Sequence, residues 1–107
     1  MPIIRIDYNN EKINKDSMVF LCNALQEIVS KITKIKDVFV YANSSEIKIK
    51  IAPIEVFIEM SAHKIENIDN LLKEIKDKIK NWKNNNNFEY KINLTIIPMN
   101  WKMEIGI

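Results

Sequence analysis

The residue with the clearest chemical potential is Pro2, which follows Met1 and leads directly into the strand-like run Ile3-Ile4-Arg5-Ile6. Proline is small enough for the methionine to be removed, which would leave a secondary amine at the end of a strand. An α-amino group titrates at about pH 7.7–8.0, and burial in an apolar pocket lowers the pKa of an amine. Such an amine can take a proton at neutral pH without a histidine or a carboxylate. The structural alternative is that Pro2 only begins an edge strand, where its missing N–H costs nothing.

The other reactive residue types favour structural roles. Cys22 is the only cysteine and lies on an apolar helical run, so we expect a buried, inert thiol with no disulfide or metal-ligand pair. His63 is the only histidine, which excludes a multi-histidine metal site and suggests a solvent-facing turn rather than a substrate contact. Glu55 and Glu59 share a strand face about 7 Å apart, but Phe57 between them favours surface or subunit contacts over glycosidase chemistry.

Composition narrows the class of protein further. The 107 residues are 47% hydrophobic, which indicates one domain with a real core. The 16 basic and 14 acidic residues give a net charge of only +2 and are spread along the chain. Nucleic-acid surfaces cluster their cations on one face and favour arginine, whereas Arg5 is the only arginine here. We therefore expect no nucleic-acid partner.

A membrane or secreted location is also not expected. No run approaches the roughly 18 apolar residues that a membrane span needs. The first 13 residues are strand-like and include Arg5, Asp7 and Glu11, unlike a signal peptide. The sequence therefore predicts a cytoplasmic protein with no membrane partner.

Hydrophobic periodicity predicts two helices and several strands. The first helix begins at Asp16 or Ser17 and runs to about Thr33. Its apolar stripe consists of Met18, Leu21, Leu25, Ile28 and Ile32. The second helix covers 65–83 and ends at an asparagine loop, 84–87. Strands are predicted over 2–8, 36–42, 46–51, 53–60, 88–97 (broken by Pro98) and 101–105.

The two halves of this pattern resemble each other. Pro2-Ile3-Ile4-Arg5-Ile6 has a counterpart in Pro53-Ile54-Glu55-Val56-Phe57-Ile58, and each run leads into an amphipathic helix and another strand. This indicates two duplicated β-α-β units, about 1–51 and 52–107, in a single domain over 1–107. Right-handed crossovers place both helices on one face of one sheet, a two-layer α+β fold. The other face carries Phe57, Phe39 or Tyr41, and Ile97, and is expected to need a partner subunit.

Nearly the whole chain resembles the tautomerase superfamily, which includes macrophage migration inhibitory factor and the 4-oxalocrotonate tautomerases. The resemblance rests on the length, the element order, the duplication and Pro2, and is greatest to a small, poorly characterised bacterial branch. The segment 53–64 is also similar to the inhibitory-factor branch, in which a strand ends in Ser-Ile-Gly-Lys before the second helix. The resemblance implies a homotrimer with sheets around a central barrel, active sites at subunit boundaries, and no cofactor or metal.

The chemistry that the resemblance implies is proton transfer α to a carbonyl, in a keto–enol tautomerase or isomerase of a small α-keto or enol acid. Pro2 matches the family base. Ala62 falls where the inhibitory-factor branch holds substrate oxygen with a backbone N–H, and a backbone donor does not depend on the side chain.

Three further substrate contacts of that family fall on five candidate positions. Lys34 or Lys36 matches a basic contact just before the second strand, and Lys64 follows the strand end as in the inhibitory-factor branch. Asn93 or Thr95 falls near the strand that supplies a polar side chain from a neighbouring subunit.

The chain also departs from the family. Bacterial isomerases of the superfamily bind dicarboxylates with arginines on the first helix and beyond the second strand, and those regions hold none here. Arg5 lies in antiphase to Pro2 on the first strand and is expected to point away from it. Lysine cannot replace the bidentate guanidinium fork, so a muconate-type dicarboxylate is not favoured. The alternative function is a non-catalytic oligomeric or ligand-binding module with the tautomerase fold or a ferredoxin-like βαββαβ fold.

Overall fold

Four strands form one mixed sheet with two helices packed against it in the computed structural model, which describes residues 1–107. The elements in chain order are β1 (Ile3–Tyr8), α1 (Lys15–Thr33), β2 (Phe39–Asn43), β3 (Ile54–Ser61), a 3-10 turn (Ala62–Lys64), α2 (Ile68–Asn86) and β4 (Asn93–Met99). The strand order across the sheet is β2-β1-β3-β4.

The sheet is built from two β-α-β units that meet at its centre. Within the units, β1 runs parallel to β2 and β3 runs parallel to β4. The units join through the antiparallel pairing of β1 with β3, in which Ile4 lies opposite Ile58 and Ile6 lies opposite Val56. The predicted α+β class, with duplicated units in one sheet, is therefore confirmed.

The core lies between the sheet and the helices. Alternate residues of the two central strands face this layer and are at most 1% exposed, and they are Ile4, Ile6, Ile54, Val56, Ile58 and Met60. The helices contribute the buried residues Met18, Leu21, Leu25 and Val29 from α1, and Ile75 and Ile79 from α2. Burying one such side chain contributes about 1.5–3 kcal/mol. Val29 completes the buried stripe of α1, while the predicted Ile28 and Ile32 pack at its margin.

Asparagines set the helix boundaries. Asn14 caps α1, its Oδ1 accepting the Ser17 N–H at 2.8 Å, so the predicted cap at Asp16 or Ser17 was wrong. Asn67 caps α2 in the same way, its Oδ1 accepting the Asn70 N–H at 3.1 Å. The helix continues through the predicted asparagine loop and ends at Asn87, whose φ of 52° is in the left-handed region that asparagine tolerates.

Several predicted strand segments do not form. Residues 88–92 are not a strand, and β4 begins only at Asn93. Pro98 lies inside β4 opposite Met60 and does not break it, because the missing N–H is tolerated on an edge strand. Runs 46–51 and 101–105 belong to no sheet. An alternating segment forms a β-strand only when another strand lies beside it to pair with. Within the single chain, no strand lies beside either of these two runs.

The second face of the sheet carries no helix. Phe39 and Tyr41 on β2 are 43% and 54% exposed. Arg5 and Phe57 lie opposite each other on the central strands of this face, as the alternation predicted. We call this surface the open face. Neither helix is long and apolar enough to cross a bilayer.

The packing of α2 gives a direct test of the fold. Ile75 is fully buried, whereas Leu72 on the same helix is 36% exposed. We expect Ile75→Ala to lower the free energy of unfolding by about 2–5 kcal/mol, because it leaves a cavity in the core. Leu72→Ala is the matched control and should cost clearly less. Urea unfolding followed by circular dichroism measures both, and equal losses would contradict this placement of the core.

Candidate functional site

Pro2 lies at the end of the sheet where β1 and β2 begin and β3 ends. Its side chain is less than 2% exposed. Its carbonyl accepts the N–H of Phe39, the first residue of β2, at 3.1 Å. Ile3 pairs with Glu59, so Pro2 lies one residue further, beside the last residues of β3. Its nitrogen therefore stands at the meeting point of three strand ends.

Four of the predicted substrate contacts come to the same end of the sheet. Lys34 and Lys36 lie in the connection that enters β2, and Lys34 ends α1 with a left-handed φ of 59°. Ala62 and Lys64 follow directly after β3. The three lysines are exposed and belong to none of the ion pairs of the chain. This end of the sheet thus combines a buried proline with three free ammonium groups, which attract small anions.

Asn93 and Thr95 lie elsewhere. They begin β4 and pair with Glu55 and Phe57, on the open face and toward the opposite end of the sheet. Asn93 Nδ2 donates to Glu55 Oε1 at 2.8 Å. Within one chain these two side chains therefore lie away from Pro2. Their role as contacts from a neighbouring subunit stays a prediction.

The only arginine lies on the open face. Arg5 forms an ion pair with Glu59, the one charged residue that is buried, at 9% exposure. As predicted, Arg5 points away from Pro2. Glu59 and Glu55 are therefore each engaged, one with Arg5 and the other with Asn93. Both carboxylates are thus engaged within the chain, Glu59 is buried and not at the surface, and the subunit contacts expected of them stay a prediction.

His63 lies at the surface, as the sequence suggested, whereas Cys22 is less buried than expected. His63 is exposed in the 3-10 turn after β3. Cys22 is half-buried on α1, and burial raises the pKa of its thiol. No three His, Cys, Asp or Glu side chains converge closely enough to hold a metal ion.

Sequence reasoning did not anticipate the grooves between the elements. A groove of about 570 Å³ runs between the helices, and Ile28, Ile32 and Trp82 form its apolar part. A smaller one of about 230 Å³ adjoins it and is lined by Lys64 and the start of α2. The sequence feature that could have indicated the larger groove was Trp82, at the end of the apolar stripe of α2. Pro2 lines neither of these two grooves.

Comparison with known proteins gives structural likeness alone. No protein-family profile matches the sequence, and no curated protein matches it. Among solved structures, native Ps01740 superposes with a TM-score of 0.65 at 10% identity, over 95% of this chain and 99% of that one. FG41 malonate semialdehyde decarboxylase, crystallised with the inhibitor 3-bromopropiolate, gives a TM-score of 0.65 at 13% identity, over 98% and 91%.

The chain therefore has the tautomerase-like fold of these solved structures. The coverage extends over almost all of both chains in each comparison, so the likeness includes both β-α-β units. The resemblance predicted from the sequence is confirmed at the level of the fold.

The burial of Cys22 predicts a slow thiol. Because its pKa is raised, less thiolate is present at pH 7.5 than for a cysteine in an unfolded chain, and the thiolate is the reactive form. We expect the folded protein to react with Ellman's reagent several-fold more slowly than the same protein in urea. Equal rates would show that the thiol is neither buried nor shielded by α1.

Proposed function

We propose that the chain is a member of the tautomerase superfamily and a cofactor-free keto–enol tautomerase or isomerase of a small α-keto or enol acid. The base is the nitrogen of Pro2 after removal of Met1. The observation that supports this most is the position of Pro2, buried at the end of the sheet where the free lysines gather. The cytoplasmic location predicted from the sequence belongs to the same proposal.

Removal of Met1 would change the site in two ways. It would convert the Pro2 nitrogen from an amide, which has no basic lone pair, to a secondary amine. It would also empty the space that Met1, itself half-buried, occupies beside that nitrogen. A substrate in that space could give its α-proton to the amine and receive it back at another carbon or at oxygen. The Ala62 N–H is the proposed donor to the developing enolate oxygen.

The charges around the site favour a substrate with one carboxylate. Lys34 or Lys36, together with Lys64, supplies positive charge at this end of the sheet. Arg5 is engaged with Glu59 on the other face, so no bidentate fork is available here. A lysine attracts a carboxylate as a point charge, which suits a monoanionic oxo acid better than a rigid dicarboxylate.

We also propose a homotrimer. The open face leaves Phe39, Tyr41, Phe57 and Ile97 without a covering layer. A partner subunit would cover these side chains and bring Asn93 or Thr95 toward the Pro2 of a neighbour. Sedimentation velocity of the processed protein measures the mass of the assembly.

The general base can be tested with phenylpyruvate, whose enol form is followed by ultraviolet absorbance. The processed protein, with loss of Met1 confirmed by intact mass, should accelerate the conversion. An N-terminally extended chain keeps the Pro2 ring in place but holds its nitrogen in a peptide bond. We expect the extension to lower the rate about 10²–10⁴-fold, because that is what a positioned general base contributes.

Pro2→Ala is the second arm of this experiment. It keeps a free amine but removes the secondary amine and the ring that fills the buried site, so its rate should also fall. A rate that neither the extension nor Pro2→Ala changes would exclude Pro2 as the base.

The lysines can be assigned by single substitutions. Each of three substitutions removes one exposed charge: Lys34→Met, Lys36→Met and Lys64→Met. Substitution of a lysine that contacts the substrate should raise KM about 2- to 5-fold with little change in kcat. Lys12→Met is the matched control, because Lys12 is an exposed lysine in the turn after β1, at the opposite end of the sheet. Equal KM values for all four variants would contradict a lysine contact to the substrate.

A non-catalytic module with the same fold is the second candidate. It is favoured by one observation, that Pro2 lines neither of the two grooves along the helices. If protein shown to lack Met1 converts phenylpyruvate and related oxo acids no faster than buffer, the result would favour the non-catalytic module over the enzyme.

A further inference from the structure

The groove of about 570 Å³ between the two helices combines an apolar floor with a charged rim. Every residue that lines it belongs to α1 or α2, so the groove opens on the side of the helices away from the sheet. We call this surface the helix face. Its apolar residues are Ala24, Ile28, Ile32 and Trp82, and its charged residues are Glu27, Lys31, Glu74 and Lys78.

The two helices run in opposite directions along this groove. β1 and β3 are antiparallel, and each helix returns the chain to the start of a parallel strand, so α1 and α2 are antiparallel to each other. At one end of the groove the rings of Phe20 and Trp82 lie 5.2 Å apart. At the other end Ile32 shares the smaller groove with Glu74.

The four charges of the helix face alternate in sign around the groove. Counted from the two ends, and with long side chains leaning toward the N-terminus of their own helix, Glu27 lies across from Lys78. Lys31 lies across from Glu74 by the same count. Each helix thus carries a glutamate followed four residues later by a lysine, and the antiparallel arrangement sets opposite signs across the groove.

The charges of α2 have no partner within the chain. Lys31 Nζ bonds to Glu27 Oε1 at 2.7 Å, and both side chains are more than half exposed. Glu74 and Lys78 are exposed and belong to none of the ion pairs. The helix face therefore offers two unmatched charges of opposite sign beside an apolar floor.

We propose that a second copy of the chain packs its helix face on this one, related by a two-fold axis that runs parallel to the helices. Each α1 then lies on the α2 of the other copy. Glu27 meets Lys78 and Lys31 meets Glu74, each pair occurring twice. The aromatic ends of the two grooves, where Trp82 lies, also meet.

A second copy is the occupant because the pattern of charges is complementary to itself. A two-fold contact brings one patch onto the same patch of another copy, and alternating signs turn into matched pairs under this rotation. A partner of one predominant charge, such as a nucleic acid, would meet as many like charges as opposite ones. The methylene stems of the lysines and glutamates cover the apolar floor of the facing groove.

The size of the helix face predicts a reversible contact. Two helices of 19 residues are each about 28 Å long and lie about 8–10 Å apart. A face of these dimensions falls at the low end of specific interfaces, below about 1,200 Å² in total. The helix face lies opposite the open face, so the contact doubles either a monomer or a trimer. The inference goes beyond the proposed function and does not depend on the chemistry of Pro2.

Exchanging charges between two variants tests the pairing. Lys78→Glu alone, and Glu27→Lys alone, each set like charges against each other at two places in a pair of identical copies. We expect each to raise the dissociation constant of the doubled species at least about tenfold. An equimolar mixture of the two variants should restore it, because the reversed charges then face each other. Sedimentation velocity over a concentration series measures all three.

Two controls separate this arrangement from simpler effects. Lys76→Glu makes the same change in net charge at an exposed position two residues from Lys78, on the opposite side of α2, and should leave the doubled species unchanged. Lys78→Glu mixed with Glu74→Lys should not recover, since like charges still meet in the proposed arrangement. Recovery with Glu74→Lys in place of Glu27→Lys would set α2 on α2 and overturn the proposed axis.

Three results would overturn the proposal: wild-type protein with no species of doubled mass at any concentration, a Lys78→Glu variant that doubles normally, or a mixture with Glu27→Lys that does not recover. A helix face that serves a different partner would give the first of these. A trimer that never doubles would contradict this inference and leave the homotrimer intact. An inactive protein that still doubles would contradict the enzyme alone.

Discussion

The antiparallel pairing of β1 with β3 is the contact on which the rest of the structure depends. It joins the two β-α-β units, and its register sets Ile4 against Ile58 and Ile6 against Val56 beneath the helices. A slip of one residue would turn these isoleucines to the open face and bring Arg5 into the core. The same register places Pro2 beside the end of β3. The position of Pro2 in the candidate site is therefore a consequence of the same register that buries the central strands.

The one arginine illustrates how the open face limits the chemistry of the site. Arg5 is held by Glu59, whose carboxylate is almost buried, and breaking such a pair by removing one partner leaves an uncompensated charge. The guanidinium is therefore fixed on the face away from Pro2. The positively charged side chains that the structure places at the Pro2 end are the exposed lysines Lys34, Lys36 and Lys64, which attract an anion without imposing the planar geometry of a fork. The position of the arginine on the open face and of the lysines at the Pro2 end thus constrains the class of substrate proposed for this chain.

Much of the fold could be predicted from the sequence because it depends on periodicity. The helix stripe through Leu21 and Leu25, and the alternation through Ile54, Val56 and Ile58, report burial directly, and the structure agrees with both. The candidate residues Pro2 and Ala62 could be expected at one end of the sheet because Pro2 precedes one central strand and Ala62 follows the end of the other. The run 46–51 could not be assigned correctly, since alternation shows what a segment prefers to pair with but not whether a partner strand lies in the same chain. The cap at Asn14 depends on one side-chain hydrogen bond and not on a pattern.

The positions of the polar contacts lead to a constraint on any active site of this chain. Pro2 lies in phase with Ile4 and Ile6, on the helix side of the sheet, whereas Asn93 and Thr95 lie on the open face. Asn93 pairs with Glu55, five strand positions before Met60, a separation of about 17 Å along the sheet at ordinary strand rise. Side chains cannot cross a continuous sheet, so one subunit cannot direct Pro2 and Asn93 at the same small substrate. A site that uses both has to be assembled from two copies, and its geometry then depends on contacts between subunits as much as on the fold of each.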